Sequence, residues 1–435
     1  MKKIMGFILA IVLCLGLIPS RTFAEDVSHN PIIEPNKIGT STATKDRFTN
    51  VLLLGVDYGF PGYWGSHYKK VLQECHTDAF MVFSINMTTS DVNLISIPRD
   101  TVTYVPGVQG VYKLNSAVNC ADDLNKAFQR CCDAASWMLG GVRIDYYACV
   151  DMNAMIKLCD HIGGAEIDVE MGYNGGSGRY YSSGRQHLDG QGLMDYARAR
   201  KNATRNANDL GRTSRQRQVV EAIFNAMKKD PSKIKSAWKL ANNGELNFFT
   251  NLKLGTILNL LNKVRKDKDT VGSYVLTGEY HEAAHWNFTF TDQKNRIGVL
   301  KEVFGIEASE IPYVSREYVN WLFNSGFDYV HAINLGKQIL FQGKGMTYRS
   351  AEQEAALKDF ETVYDSMVKA FDAEADATNE GKSTGTEIKT IYEKLQNSGN
   401  KAAIAIGFST DNLNWRKASS WNNDPLINEY QPDWA

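Results

Sequence analysis

The sequence predicts an α/β fold: a mixed central β-sheet flanked by helices, followed by a mainly helical accessory module at the C-terminal end. Two patterns carry that expectation. Between 48 and 305, apolar runs of strand length alternate with stretches of helical spacing, the pattern of a sheet covered by helices. Beyond 310, long helical patterns follow one another without strands. The 435 residues, 43% hydrophobic and 22% charged, are enough for two or three domains and have the composition of a globular protein.

Taken in order, residues 1–24 read as a secretory signal peptide. Lys2 and Lys3 precede the apolar run Ile4–Ile18, and Thr22-Phe23-Ala24 offers a cleavage site after Ala24. The apolar run falls short of the roughly 20 residues that span a bilayer, which favours cleavage over an uncleaved anchor. In both cases the rest of the chain is expected to be exported, to the outer face of the cytoplasmic membrane or the cell wall. Residues 25–47 are a polar linker, and 48–305 the expected α/β domain. NVLLLGVD reads as a buried strand. DAFMVFSINM (Asp78–Met87) and DVNLISIPRD (Asp91–Asp100) form a hairpin across Thr88-Thr89-Ser90.

Helical spacing then runs over Ser116–Leu139 and Met152–His161, separated by the strand DYYACV and followed by the strand AEIDVE. Tyr173–Arg185, rich in glycine, reads as an irregular loop, and Gly190–Tyr196 as a short helix. A longer helix starts at Asp209, its expected N-cap, with Val219, Val220, Ile223, Phe224 and Met227 as its apolar stripe. Further helices are expected from Pro231 and over Leu252–Val264. GSYVLTG and HWNFTFT are strands, and Asp292–Phe304 is the closing helix. The module at 310–435 holds YVNWLFNSGF, the acidic helix Ser350–Asp376 and a helix over Glu387–Leu395.

Six cysteines follow the signal: Cys75, Cys120, Cys131, Cys132, Cys149 and Cys159. An even number in an exported chain permits one or two disulfides, with unreadable pairing, and the spacings match no zinc pattern. Removing Lys2, Lys3 and Arg21 with the signal leaves 45 basic residues against 49 acidic ones, net −4. That balance argues against a nucleic-acid partner.

Against this background, YARARKNATRNANDLGRTSRQRQ (Tyr196–Gln218) holds Arg198, Arg200, Lys201, Arg205, Arg212, Arg215 and Arg217 beside one acid, Asp209. A local excess of positive charge points to an anionic ligand, although a solvated basic face would look the same. Arg198 and Arg200 share a side only in extended backbone, so the chain must leave the helix near Ala197 for both to grip one anion. Arg212, Arg215 and Gln216 are spaced i, i+3, i+4 at a helix start, where unpaired N–H groups already favour anions. Guanidinium forks suit phosphate oxygens. Asp57 ends one strand, Asp78 begins the next, and Arg99-Asp100 ends the third. Carboxylates beside bound phosphates suit Mg²⁺, although strand-end and capping roles explain each acid alone.

The ordered set NVLLLGVD, SIPRD, YKLNSA, QHLDG, YARAR and GRxxRQ (Gly211 to Gln216), covering about 48–230, resembles the LytR–CpsA–Psr family. The resemblance implies an extracytoplasmic phosphotransferase that moves an anionic glycopolymer, of teichoic acid or capsule type, from a polyprenyl-pyrophosphate carrier to peptidoglycan. It implies Asp57 and Asp78 as Mg²⁺ ligands. Arg99, Arg198, Arg200, Arg212 and Gln216 would be pyrophosphate ligands, with Arg215 beside them and Asp209 orienting the arginines. The implied partners are the lipid-linked glycopolymer, peptidoglycan and, through the lipid, the membrane surface.

Two positions depart from the family's pattern. His76-Thr77-Asp78-Ala79 stands where an Arg-Ser-Asp-Thr run is usual, and Asp57-Tyr58-Gly59 lacks an Asp-x-Arg. Fewer cations leave room for a non-catalytic binder of polyprenyl-pyrophosphate precursors, or a pyrophosphatase. In the C-terminal module, Trp321, Trp415, Trp421 and Trp434 suit either sugar stacking or helix packing.

Overall fold

The computed structural model describes residues 47–57, 75–105, 111–118, 124–199, 209–229, 237, 239–241, 246–253, 256, 259–260, 271–383, 385–409 and 413–416. The expected signal peptide, most of the linker, Cys120, Arg200, Trp421 and Trp434 lie outside them, as does most of the helices expected from Pro231 and over Leu252–Val264.

The first strands are β1 (Phe48–Val56), β2 (Thr77–Asn86), β3 (Val92–Ser96), β4 (Val102–Tyr104) and β5 (Val111–Lys113), followed by helix α1 (Leu124–Met138). Next come β6 (Tyr146–Asp151), α2 (Met152–His161), β7 (Ala165–Val169), β8 (Tyr173–Asn174), β9 (Tyr180–Tyr181) and β10 (Gly184–Leu188). Helices α3 (Gly190–Arg198) and α4 (Asp209–Lys229) precede β11 (Phe248–Thr250), β12 (Gly272–Val275), β13 (Gly278–Ala283) and β14 (Trp286–Thr291). The chain continues through α5 (Gln293–Phe304), α6 (Arg316–Trp321), α7 (Phe327–Gly345), α8 (Ala351–Asn379) and α9 (Thr386–Ile406).

Among the described residues the main sheet has the order β11-β6-β1-β2-β3-β12. β1 runs antiparallel to β2 and parallel to β6, and β3 is antiparallel to β2 and parallel to β12, so the sheet is mixed. The β2–β3 turn forms because the Asn86 side chain accepts the Thr88 and Thr89 amides at 3.0 and 3.1 Å while Ser90 takes a positive φ of 62°.

Alternation along β1 divides its residues between two cores. Leu52, Leu54 and Val56 join the larger apolar cluster, and Val51 and Leu53 join the smaller one. The larger cluster runs without a break from Phe48 to Trp415, so the C-terminal helices share a core with the sheet. Phe323 packs on Tyr112 and Phe288, with ring centroids 5.7 Å apart in each pair.

Several local expectations shift. The third strand stops at Ser96 rather than Asp100, because Pro98 has no N–H and Thr101 N turns back to its carbonyl at 3.1 Å. The helix expected from Ser116 begins at Leu124, after a short 3₁₀ turn at Leu114–Ser116. The glycine-rich stretch after Tyr173 contains the paired strands β8 and β9, and β10 pairs with β7. The last helix passes Leu395 and ends at Ile406, capped by Gly407 at φ 69°. Its interior Gly399 leaves room for the Trp415 ring.

Trp415 is buried, donates from Nε1 to Asn400 at 2.8 Å and meets Phe360 edge-on. Trp321 packs among Tyr318, Tyr329 and Phe371. These two tryptophans are packing residues. α8 starts at a capping box between Ser350 and Gln353 and buries Leu357, Phe360, Tyr364, Met367 and Phe371 at helical spacing. No disulfide joins any two of the five described cysteines, all of which are buried. Among the described residues, no helix is long and apolar enough to cross a membrane.

Arg296 is fully buried, and burial pulls its pKa down to about 10. It donates to the carbonyls of Met138, at the end of α1, and Ser309, at 2.6 and 2.8 Å. The shared core makes a chain ending near 310 expose Tyr112 and Phe288. Such a truncation is expected to bind a hydrophobic dye and aggregate, whereas a soluble fragment with the full chain's thermal midpoint would contradict one shared core. Adding a methyl at Gly399 drives it into Trp415, so Gly399→Ala should cost about 1–3 kcal/mol in denaturant unfolding.

Candidate active site

Sheet polarity gathers the expected site residues. β1, β3 and β6 finish at the end of the sheet where β2 starts, so Asp57, Asp78, Arg99 and Asp151 share that end. The register shifts between Gly55, opposite Ala79, and Val56, opposite Thr77, so Asp78 is the extra residue on β2 and bulges out of the ladder. Asp57 is then held by His76: its Oδ1 accepts the His76 amide at 2.7 Å, and its own amide donates to the His76 carbonyl at 3.3 Å.

Arg99 forms an ion pair with Asp78. Its Nε lies 3.5 Å from Asp100, whose other oxygen is 3.6 Å from Lys113 Nζ. The backbone after β3 is fixed by the β5 side of the chain, since the Asn115 amide donates to the Arg99 carbonyl at 2.9 Å.

Arg198 reaches this end on α3. Asp189 caps that helix by accepting the Gly192 amide at 2.7 Å. Gly190 brings it close to α2, where any side chain would strike the Ile156 carbonyl. Its amide donates to Asp160 at 2.7 Å. Ala199 leaves the helix in extended backbone with ψ 136°, so Arg198 is its last residue and is exposed. The exit falls close to the expected Ala197. Arg200 and the side chain of Asp209, the first residue of α4, lie outside the described residues.

The three residues grouped on α4 separate. Gln216 donates from Nε2 to the Asp78 carbonyl at 3.0 Å. Arg212 and Arg215 are buried at 5% and 3% exposure, which decides against a freely solvated basic face for these two. Arg215 donates to the Ala199 carbonyl just beyond Arg198, and burial lowers its pKa against the opposing pull of Tyr196, Glu170 and Tyr173. In the structure it braces the chain leaving α3, rather than lining the cavity described next. Adjacent helical positions point about 100° apart, so Gln216 and Arg215 serve different neighbours.

Between the sheet and α2, α3 and α4 lies a cavity of about 170 Å³. Its walls are apolar, among them Leu53, Met81, Ala148, Met155, Met194, Val219 and Ile223, and Asp78, Arg198 and Gln216 also line it. Val219, Val220 and Ile223 were legible as a helix stripe, and the gap they border lies against the apolar residues of β1, β2 and β6. The sequence left Asp195 without a role. This buried carboxylate sits one turn before Arg198 and accepts Tyr181 Oη at 2.9 Å, the Ser177 amide at 3.2 Å and Gln191 Nε2 at 3.1 Å. It ties the β8–β9 ribbon to α3.

Among the described residues, no three His, Cys, Asp or Glu side chains form a group that could hold a metal. Two carboxylates at neighbouring strand ends are the donor set of an ion that keeps waters and takes phosphate oxygens, so Asp57 and Asp78 fit Mg²⁺ with a bound phosphate rather than Mg²⁺ alone.

A mixed sheet with cationic and acidic groups at one end, over an apolar cavity, defines the class. Residues 21–302 match the model of the LytR_cpsA_psr family, and the chain belongs to that family. It is 27% identical over 203 residues to the polyisoprenyl-teichoic acid–peptidoglycan teichoic acid transferase TagU of Bacillus mycoides, covering 46% of this chain and 60% of that one. To the corresponding transferase TagV of Bacillus subtilis it is 25% identical over 277 residues, covering 58% and 64%. The chain thus spans less than two thirds of the length of these two relatives. Protein gbs0355 of Streptococcus agalactiae shares the fold at a TM-score of 0.50 and 19% identity, over 62% of this chain and 92% of that one. The crystal structure of Bacillus subtilis TagV aligns at 0.48 and 23%, over 59% and 96%.

Filling the cavity tests whether it admits an apolar chain. Ala148→Phe is expected to weaken binding of a fluorescent long-chain alkyl phosphate tenfold or more, read by anisotropy, with the thermal midpoint checked in parallel. Unchanged affinity would show that the chain binds elsewhere.

Proposed function

We propose that the protein is an extracytoplasmic, Mg²⁺-dependent phosphotransferase that attaches a polyprenyl-pyrophosphate-linked glycopolymer, of teichoic acid or capsule type, to peptidoglycan. One observation carries this reading: an apolar cavity whose lining includes Asp78, Arg198 and Gln216, with Arg99 on Asp78. That combination suits a ligand with an apolar tail and a multiply charged phosphate head. The names of the relatives, which describe transfer of teichoic acid from a polyisoprenyl carrier to peptidoglycan, support the same reaction here. Export is supported by the basic start and apolar run at Lys2–Ile18.

In this mechanism the cavity takes the polyprenyl tail near the head group, and the pyrophosphate lies at the sheet end. Arg198 and Arg99 offer guanidinium donors to its oxygens, with Arg200 and Arg212 as further ligands from the same basic segment. Asp57 and Asp78 would hold Mg²⁺, which supplies positive charge against the phosphate oxygens. Arg99 contacts the Asp78 carboxylate and Gln216 its backbone carbonyl, so the acid's position is set by two elements. Arg215, through the Ala199 carbonyl, and Asp195, through the β8–β9 ribbon, keep α3 and its last residue Arg198 in place. The acceptor hydroxyl loses its proton to solvent and forms a new O–P bond at the phosphorus that carries the glycopolymer. The bond to the departing polyprenyl phosphate breaks, and its developing charge is met by these cations.

Incubating the chain from Glu25 with a lipid-pyrophosphate glycan, peptidoglycan fragments and Mg²⁺ should release polyprenyl phosphate and yield the joined product. Arg198→Ala and Asp78→Ala are expected to lower turnover about 10²–10³-fold. Release that does not depend on peptidoglycan would make the protein a pyrophosphatase. Tight binding without release would make it a carrier of the precursor.

A further inference from the structure

The β13–β14 hairpin projects beside this site and is built at a cost in backbone strain. Its two-residue turn places Ala284 at φ 49° and His285 at φ 67°, a left-handed pair that hairpins normally fill with Asn-Gly. Neither residue has glycine's freedom, so neighbours must hold the turn. The Ala284 amide donates to Asn320 at 2.7 Å, and Arg316 Nε donates to the Glu282 carbonyl at 3.1 Å. Both anchors come from α6, beyond residue 302 where the family match ends. The other strand is joined to the site, because the Thr289 amide donates to the Asp100 carbonyl at 2.8 Å.

The turn presents Trp286, which is 52% exposed. Lys113 Nζ lies 5.7 Å from the centre of that ring and 5.3 Å from Phe288, while also pairing with Asp100. Asp100 in turn meets Arg99. A half-exposed indole is therefore linked through two charged side chains to an arginine assigned to the pyrophosphate. Unlike the other exposed rings, this one sits next to the proposed phosphate site through Lys113, Asp100 and Arg99. Its electron-rich face suits the C–H face of a pyranose, which carries weak positive polarity and no net charge.

We propose that Trp286, backed by Lys113, is the stacking platform for a sugar ring of the incoming peptidoglycan glycan, held in place by the C-terminal helical module through Asn320 and Arg316. The proposal rests on the phosphotransferase reading and specifies where the acceptor lies. Pyranose chemistry also occurs in the donor's glycopolymer. The acceptor is favoured because, on that reading, the cavity would take the donor's lipid end, whereas the hairpin lies on the side of Asp100.

The full chain and its Trp286→Ala, Trp286→Phe and Tyr280→Ala variants are titrated separately with three ligands: a peptidoglycan tetrasaccharide, farnesyl pyrophosphate, and a sugar-bearing farnesyl pyrophosphate. Trp286→Ala is expected to weaken tetrasaccharide binding about tenfold, and Trp286→Phe less. Tyr280→Ala, on the opposite face of the hairpin, should stay within twofold, and farnesyl pyrophosphate binding should hold within twofold in all variants. The proposal is overturned if Trp286→Ala binds the tetrasaccharide like the parent, if the parent does not bind it, or if the loss is confined to the sugar-bearing donor. These titrations read binding without turnover. A chain that transfers nothing yet shows the expected pattern keeps the platform and loses the transferase reading.

Discussion

The antiparallel pairing of β1 with β2, and of β2 with β3, constrains everything at the site. Because β2 runs opposite to both neighbours, its first residues lie beside the last residues of β1 and β3. Asp57, Asp78 and Arg99 are thereby brought together from positions far apart in sequence, and the ion pair between Arg99 and Asp78 closes the edge. A slip of one residue in the β1–β2 register would turn Asp78 to the opposite face of the sheet and break the ion pair. The same slip of β2 would move Phe80 and Val82 out of the larger core, so the apolar pattern of β2 guards the geometry of its polar first residues.

The two faces of the sheet then divide the work. One is closed by α1, α5 and the C-terminal helices around a continuous apolar cluster that includes Phe128, Leu300 and Phe360. The other is only partly closed by α2 and α4, which leaves Leu53 and Val150 half-buried against the cavity. Helix α3 stands at the rim with the exposed Arg198. A tightly filled face supplies rigidity and a loosely filled one supplies space. Buried Arg215 and Asp195 belong to the rigid part, although a reading of charge alone would place both in the site.

Much of this was legible in the sequence, because the signals were strong and local. Apolar runs of strand length were readable as β1, β2 and β6, helical spacing as α2, and the crowd of arginines between Tyr196 and Gln218 pointed to the proposed anion site. The illegible parts depend on tertiary packing. Nothing in the Gly-rich run after Tyr173 shows that Asp195 would collect Tyr181 and Ser177 into an ordered ribbon. Arg212 and Arg215 look alike in sequence, and only packing assigns Arg215 to the Ala199 carbonyl. The extension of α9 through Gly399 opposes local helix propensity and depends on Trp415, a residue reached sixteen positions later. The continuity of the core across 310 is likewise a contact property, invisible to a boundary drawn from a change of pattern.

The seat of Asp57 has a consequence for how such a site can vary. Both hydrogen bonds joining Asp57 to position 76 run through the main chain of His76 at one or both ends: the carboxylate takes its amide, and the Asp57 amide finds its carbonyl. The side chain at 76 plays no part in either bond. Any residue with an amide hydrogen satisfies them, proline alone being excluded. An arginine at that position and the histidine found here therefore make these two main-chain bonds equally well. The charge carried by the side chain at position 76 is thus decoupled from these two bonds, and can change without rebuilding the strand ends beneath it.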